Sequence, residues 1–229
     1  MRDVRRRDDA GMTMIELLVS MIVFSIAVAL AFSAVIVVMQ HSSEAQRSAA
    51  AQTELRLAVA QIDRQVRSGN VLFSPADEAT PTSCQAVGQY SGTCMRIYTQ
   101  SNGDNKCVQW QLLEDSGEPG TYLLRSRTWH PGWSLGLGTV EEWGIVARGL
   151  QYDDGSDPAV YAAGDTPPPF TLSSAISTGV TPYGDRMLVL HLESIDTRRD
   201  HPIAIDSSIT GRNTSYGYSG SQCEPVPPE

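Results

Sequence analysis

Gly132-Trp133-Ser134-Leu135-Gly136 matches the G-x-S-x-G pattern of a serine nucleophile, whose hydroxyl must stand on a tight turn between a strand and a helix. Pro131 precedes the pattern and Gly138 follows closely, so no helix is expected to start there, and the segment reads as a glycine-rich loop with an exposed Trp. Asp153-Asp154-Gly155-Ser156-Asp157 offers the oxygen ligands that Ca2+ takes, but it lacks the spacing of an EF-hand loop and its distal Glu, and reads as a solvated acidic turn. His130, His191 and His201 show no metal-ligand spacing; His191 is expected on a strand face with Met187 and Val189. Asn213-Thr214-Ser215 has the pattern of a glycosylation acceptor, a weak signal alone. No catalytic residue, metal or cofactor is expected. The residue whose position asks most for an explanation is Glu16, a carboxylate at the edge of a long apolar run.

That run extends from Leu17 to Met39 without a charge, and only Ser20, Ser25 and Ser33 are polar. As a helix it reaches roughly 35 Å, enough to cross the core of a bilayer. Arg2, Arg5, Arg6 and Arg7 precede it, and the first positive charge after it is Arg47. The positive-inside rule then places the N-terminus in the cytoplasm and residues 40–229 outside. The net charge of the 229 residues is −9, and Lys and Arg cluster nowhere else, so no nucleic-acid contact is expected.

Gly11-Met12-Thr13-Met14-Ile15-Glu16-Leu17-Leu18-Val19 closely resembles the class III signal of type IV prepilins. Members of that family carry a short basic leader ending in Gly, then a hydrophobic residue, and Glu as the fifth residue after the cut. The resemblance implies that a prepilin peptidase cuts between Gly11 and Met12 and methylates the new amino terminus of Met12. It also implies assembly with other pilins or pseudopilins on a pilus assembly platform. The implied precursor is a single-pass protein of the inner or plasma membrane, and the implied mature form is extracytoplasmic, in a pilus or pseudopilus. The physics agrees with this: the cut creates a charged amine close to Glu16, and opposite charges attract strongly where the dielectric is low. A secretory signal is the rival, since Ala27-Val28-Ala29 and Ala29-Leu30-Ala31 fit small-x-small cleavage sites. On that reading the product is a signal-anchored or secreted β-domain binding a ligand through residues 129–138 or 155–183. The apolar run continues beyond both sites through Phe32, Val35, Ile36, Val37 and Val38, where signal regions turn polar.

The helix is expected to continue past the membrane. No Gly or Pro occurs between Met12 and Ser68, and good helix formers dominate residues 44–67. Leu55, Val59, Ile62 and Val66 recur at helical spacing and give one apolar stripe, and Gly69-Asn70 reads as the stop. The expected helix runs from about Met12 to Ser68, on the order of 85 Å, apolar all round in its first half and amphipathic in its second. Many major pilins carry a Pro near the position of Ser33, which this sequence lacks.

After Gly69 short alternating runs are broken by Gly, Pro, Asn, Asp and Ser. Strands are expected at 95–99, 108–112, 121–129, 142–152, 186–195 and 203–209, as an antiparallel meander packed on the helix. The fold class is α+β and pilin-like. The divisions are a leader at 1–11, a membrane or filament-core helix at 12–39, its amphipathic continuation at 40–69, and an extracytoplasmic β-rich domain at 70–229. Residues 155–183 read as a long surface loop, and residues 216–229 as irregular.

Cys84, Cys94, Cys107 and Cys223 form no C-x-x-C pair, and an even number in an exported region suggests two disulfides. Matching apolar faces pairs Ile97 with Trp110, which sets Cys107 opposite Gln100. That is ~20 Å from Cys94, whereas a disulfide needs Cα atoms within about 7 Å. With Cys94–Cys107 set aside two schemes remain, and the preferred one joins Cys84 to Cys94 and Cys107 to Cys223.

Three β segments, 145–152, 185–192 and 205–213, follow in an order similar to that of PilW- and PulJ-like minor pilins, as does the helix piece 60–67. That resemblance implies a low-copy subunit that helps to start a filament.

Overall fold

Thr13 opens the helix. Its hydroxyl oxygen accepts from the Glu16 N–H at 3.4 Å, and its carbonyl accepts from Glu16 and Leu17, so first-turn amides that would otherwise lack partners are satisfied. The computed structural model describes residues 13–75, 78, 92–100, 103–152, 167–173, 187–194, 203–211 and 221–228. The chain divides into two units, 1–49 and 50–229. Helix α1 runs over Met14–Ser68, as the unbroken set of helix formers predicts.

In the first unit the apolar side chains of α1 face outward: Leu18, Phe24 and Val38 are 57%, 70% and 67% exposed. A soluble protein rarely presents so continuous an apolar surface. The polar groups are satisfied inside the helix. Ser20 and Ser25 hydroxyls donate to the carbonyls of Glu16 and Met21 at 2.7 Å, and Ser33 donates to Leu30 at 2.8 Å. Back-bonding of this kind leaves no hydroxyl donor unpaired in hydrocarbon.

In the second unit the helix buries Leu55, Ala58, Ile62 and Val66 against the sheet. Val59, expected in that stripe, is only partly buried, and Ala58 takes its place because a small side chain allows closer approach. Beside this stripe an Arg67–Asp63 ion pair links positions one turn apart. The Thr99 hydroxyl donates to the Ser68 carbonyl at 2.8 Å and so caps the helix end.

Among the described residues eight strands follow: β1 Gly69–Leu72, β2 Cys94–Thr99, β3 Lys106–Glu114, β4 Tyr122–Trp129, β5 Gly144–Gln151, β6 Phe170–Ser173, β7 Met187–Ser194 and β8 Ile203–Thr210. They make one antiparallel sheet, with the helix packed on one face. The order is β1-β2-β3-β4-β5-β7-β6, with β8 also paired to β7. This corrects the simple meander: among the described residues β7 meets β5 only at Leu150–Ser194 and Gln151–Glu193, and pairs with β6 through Phe170–Leu190 to Ser173–Met187.

Two strands were not anticipated. Gly69, read as a helix stop, is also the first residue of β1, where a Cβ would lie 2.7 Å from the Ile97 Cγ2. The sharp change from helix to strand brings the backbone too close to β2 for any side chain. β6 falls within the expected 155–183 loop: Phe170 is 1% exposed, and its N–H donates to the Gly92 carbonyl at 2.9 Å. The β2–β3 register also differs from the expected one. Ile97 faces Val108, Met95 faces Trp110 and Tyr98 faces Cys107. A slip of two residues keeps every side chain on its face, so matching apolar faces cannot distinguish the two registers.

The helix-facing core includes Ile97, Trp110, Leu124, Leu150 and Leu190. On the outer face Tyr98, Cys107, Trp129 and Cys223 form a second cluster. Residues 221–228 have neither helix nor strand.

Candidate functional site

Glu16 is in the first turn of α1, at the third position after the Thr13 cap. Thr13-x-x-Glu16 is the sequence of a capping box. The helix therefore begins immediately beside the expected cut. Gly11 and Met12 lie outside the described residues, so the Glu16 carboxylate is the placed member of the expected processing and assembly set. Its neighbours Met14, Ile15 and Leu17 are exposed, and the whole first turn offers an apolar surface with one carboxylate. Among the described residues α1 is the helix long and apolar enough to cross a membrane.

Cys107 and Cys223 are joined by a disulfide, with Cα atoms 5.7 Å apart. Cys94 faces Gln111, four residues along the ladder from Tyr98, the partner of Cys107, so the two cysteines of the hairpin stand apart in the observed register as well. The expected Cys84–Cys94 bond falls on Cys84, outside the described residues. No described cysteine is free.

The other candidates are dispersed. Ser134 is exposed on a 3-10 turn, Trp133–Leu135, that follows a proline and ends at Gly136 with φ 73°. His130 accepts from the Gly132 N–H at 3.0 Å and fixes the start of that loop. The His191 Nδ1 lies 2.6 Å from Asp206 on the neighbouring strand, and Glu193 is 4.0 Å from the other ring nitrogen. Burial pushes the Glu193 carboxyl above its ordinary range; His191 opposes that shift and the Asp206 charge adds to it. Among the described residues no group of three or more His, Cys, Asp or Glu side chains is placed to hold a metal. The 153–157 acidic turn, His201 and the Asn213 sequon lie outside the described residues.

One cluster escaped the sequence reading. Arg96, Gln109 and Arg127, on successive strands of the outer face, are buried rather than solvated. Arg96 pairs with Glu78 at 2.6 Å and lies 4.5 Å from the Phe73 ring centroid; Arg127 is bonded to Gln109 at 2.9 Å. Their alternation with Ile97, Val108 and Trp110 reads as an ordinary polar outer face. The signal that this face is covered was Cys223, whose bond to β3 brings the end of the chain over it.

A family model described as the prokaryotic N-terminal methylation motif matches residues 6–32, which include Gly11, Met12, Glu16 and the beginning of the apolar run. At its N-terminus the chain is thus similar to type IV pilin-like proteins, and the motif implies processing by a prepilin peptidase and association with other pilins. The match supports a precursor anchored in the inner membrane. No curated protein and no solved structure matches the chain.

Proposed function

We propose that this chain is the precursor of a minor pilin or pseudopilin, of the PilW- or PulJ-like kind, and that its work is assembly rather than catalysis. The observation that carries the reading is the methylation motif at residues 6–32 at the head of a helix whose apolar side chains, the half-buried Val28 apart, are exposed from Met14 to Met39. The precursor sits in the membrane with residues 1–11 in the cytoplasm. Prepilin peptidase cuts after Gly11 and methylates Met12. The apolar helix then moves from lipid into a filament core made by neighbouring helices, which exchanges one apolar environment for another.

In that core Glu16 has a specific task. A buried carboxylate without a partner is costly, and so is a buried amine. The Met12 amine of a neighbouring subunit supplies the opposite charge, which offsets both costs and fixes the axial register of the incoming helix. The first turn favours this arrangement: Thr13 caps the helix and holds Glu16 on an ordered turn. The β-rich domain that follows is the surface presented to other subunits.

The test is the intact mass and N-terminal sequence of the protein taken from its native membrane. A start at N-methylated Met12 supports the proposal. A start at Leu30 or Phe32 would mean that signal peptidase releases a soluble domain, and the filament reading would fall.

A further inference from the structure

The outer face of β2, β3 and β4 points away from α1, yet Arg96, Gln109 and Arg127 on it are 5%, 1% and 5% exposed. The chain's own end, residues 221–228, covers this face. Four of its polar contacts share one chemistry, in which side-chain N–H groups donate to backbone carbonyls of a proline-rich run. Trp133 Nε1 donates to the Pro225 carbonyl at 2.7 Å. Arg127 donates to the carbonyls of Pro227 at 2.6 Å and Pro228 at 2.9 Å, and Arg96 to that of Cys223 at 3.3 Å. The Arg127 guanidinium lies 4.4 Å from the Trp143 ring centroid and 5.6 Å from that of Trp129. Pro227 is buried.

We infer that this face is a binding groove for proline-rich peptides, occupied in cis by residues 221–228 and closed to other segments by the Cys107–Cys223 disulfide. Proline suits such a groove for two reasons. It brings no N–H of its own, and its ring fixes φ, so little conformational freedom is lost on binding. Aromatic and cationic side chains that read backbone carbonyls recur wherever proline-rich segments are recognised. Beside the groove, the indole N–H groups of Trp129 and Trp143 are buried and have no hydrogen-bond partner among the described residues.

The contacts to Pro225, Pro227 and Pro228 are non-covalent and address the backbone, so another proline-rich segment can make them. The disulfide is what makes the tail the permanent occupant. Tethering raises its local concentration to the order of millimolar, which a free peptide must exceed.

The experiment uses the full chain in detergent micelles and a fluorescein-labelled peptide of residues 221–228 carrying Cys223→Ser. Three proteins are titrated by fluorescence anisotropy: the intact chain, the Cys107→Ser/Cys223→Ser chain, and a chain shortened to end at Gly220. Saturable binding to the shortened chain is expected below about 1 mM, weaker binding to the double variant, and none to the intact chain. In the shortened chain Trp133→Phe should weaken binding roughly fivefold to tenfold, the loss of one hydrogen bond. A peptide with Ala at each proline should not bind. Equal binding to the intact and shortened chains would overturn the inference, as would equal binding of the alanine peptide, or no binding to a shortened chain with an unchanged circular dichroism spectrum. A shortened chain that no longer folds would make the tail an integral part of the core rather than an exchangeable ligand, and would overturn it too.

Discussion

The Trp110 indole Nε1 donates to the Gln65 Oε1 at 2.5 Å, a polar bond between the fully buried centre of β3 and the helix. Around it Ile62 and Val66 are fully buried. Removing the acceptor leaves a buried N–H without a partner, whereas removing both groups does not. Gln65→Leu should therefore cost about 1–3 kcal/mol in urea unfolding. Ile62→Ala, which opens a cavity in the same contact, should cost about 2–5 kcal/mol. A smaller cost for Gln65→Leu made in a Trp110→Phe background would show that the bond, and not helix propensity, carries the first effect.

Glu16→Ala should leave the far-ultraviolet circular dichroism of the purified precursor unchanged, because its side chain is exposed in the first turn. Filament yield in sheared fractions should fall at least tenfold, since breaking a buried pair costs about 3–5 kcal/mol. Gly11→Val should act earlier, leaving the mass of the uncut precursor. Normal filaments from Glu16→Ala would remove the carboxylate from the assembly step.

Glu193 makes stability depend on pH. Burial raises its carboxyl, so the folded chain holds the proton more tightly than the unfolded chain does. Its unfavourable contribution is absent below the unfolded value, about 4.3, and grows as pH rises through the folded value. Glu193→Gln should melt higher than the parent at pH 7, with the gain vanishing below about pH 4. A constant difference across that range would rule out the titration.

Asp115 acts in the opposite sense. It accepts from the Gly117 N–H at 2.9 Å and pairs with Arg148. The Gly117 bond leads in lowering its carboxyl, burial opposes it, and Arg148 adds to the lowering. The stabilisation is present above the unfolded value of about 3.9 and is lost as pH falls through the folded value. Asp115→Ala should therefore destabilise at pH 7, with the difference from the parent shrinking in strong acid; melting curves at the two pH values check it.

The helix was legible because the interval from Thr13 to Ser68 has no breaker and its apolar pattern changes from all-round to one stripe. β3, β4, β7 and β8 were legible from alternation. β1 was hidden because Gly69 serves as helix stop and first strand residue at once. β6 was hidden because Pro167-Pro168-Pro169 marks a loop, while the burial of Phe170 depends on β7, far along the chain. The β2–β3 register was misjudged by two residues, since Met95 and Ile97, like Val108 and Trp110, share one face. At the N-terminus, the methylation motif was readable in the sequence because its signal is local. The Arg127 and Trp133 contacts with the tail were not, because they join residues separated by roughly 90 to 100 positions.

The Cys107–Cys223 bond joins residues separated by 116 positions, and β4 to β8 all lie between them. Topologically this part of the molecule is a closed ring. A protease that cuts any one peptide bond between Val108 and Gln222 opens the ring without releasing a fragment. Both pieces stay covalently joined through the Cys107–Cys223 bond. The chain can thus be nicked and still migrate as one species until a reductant is added.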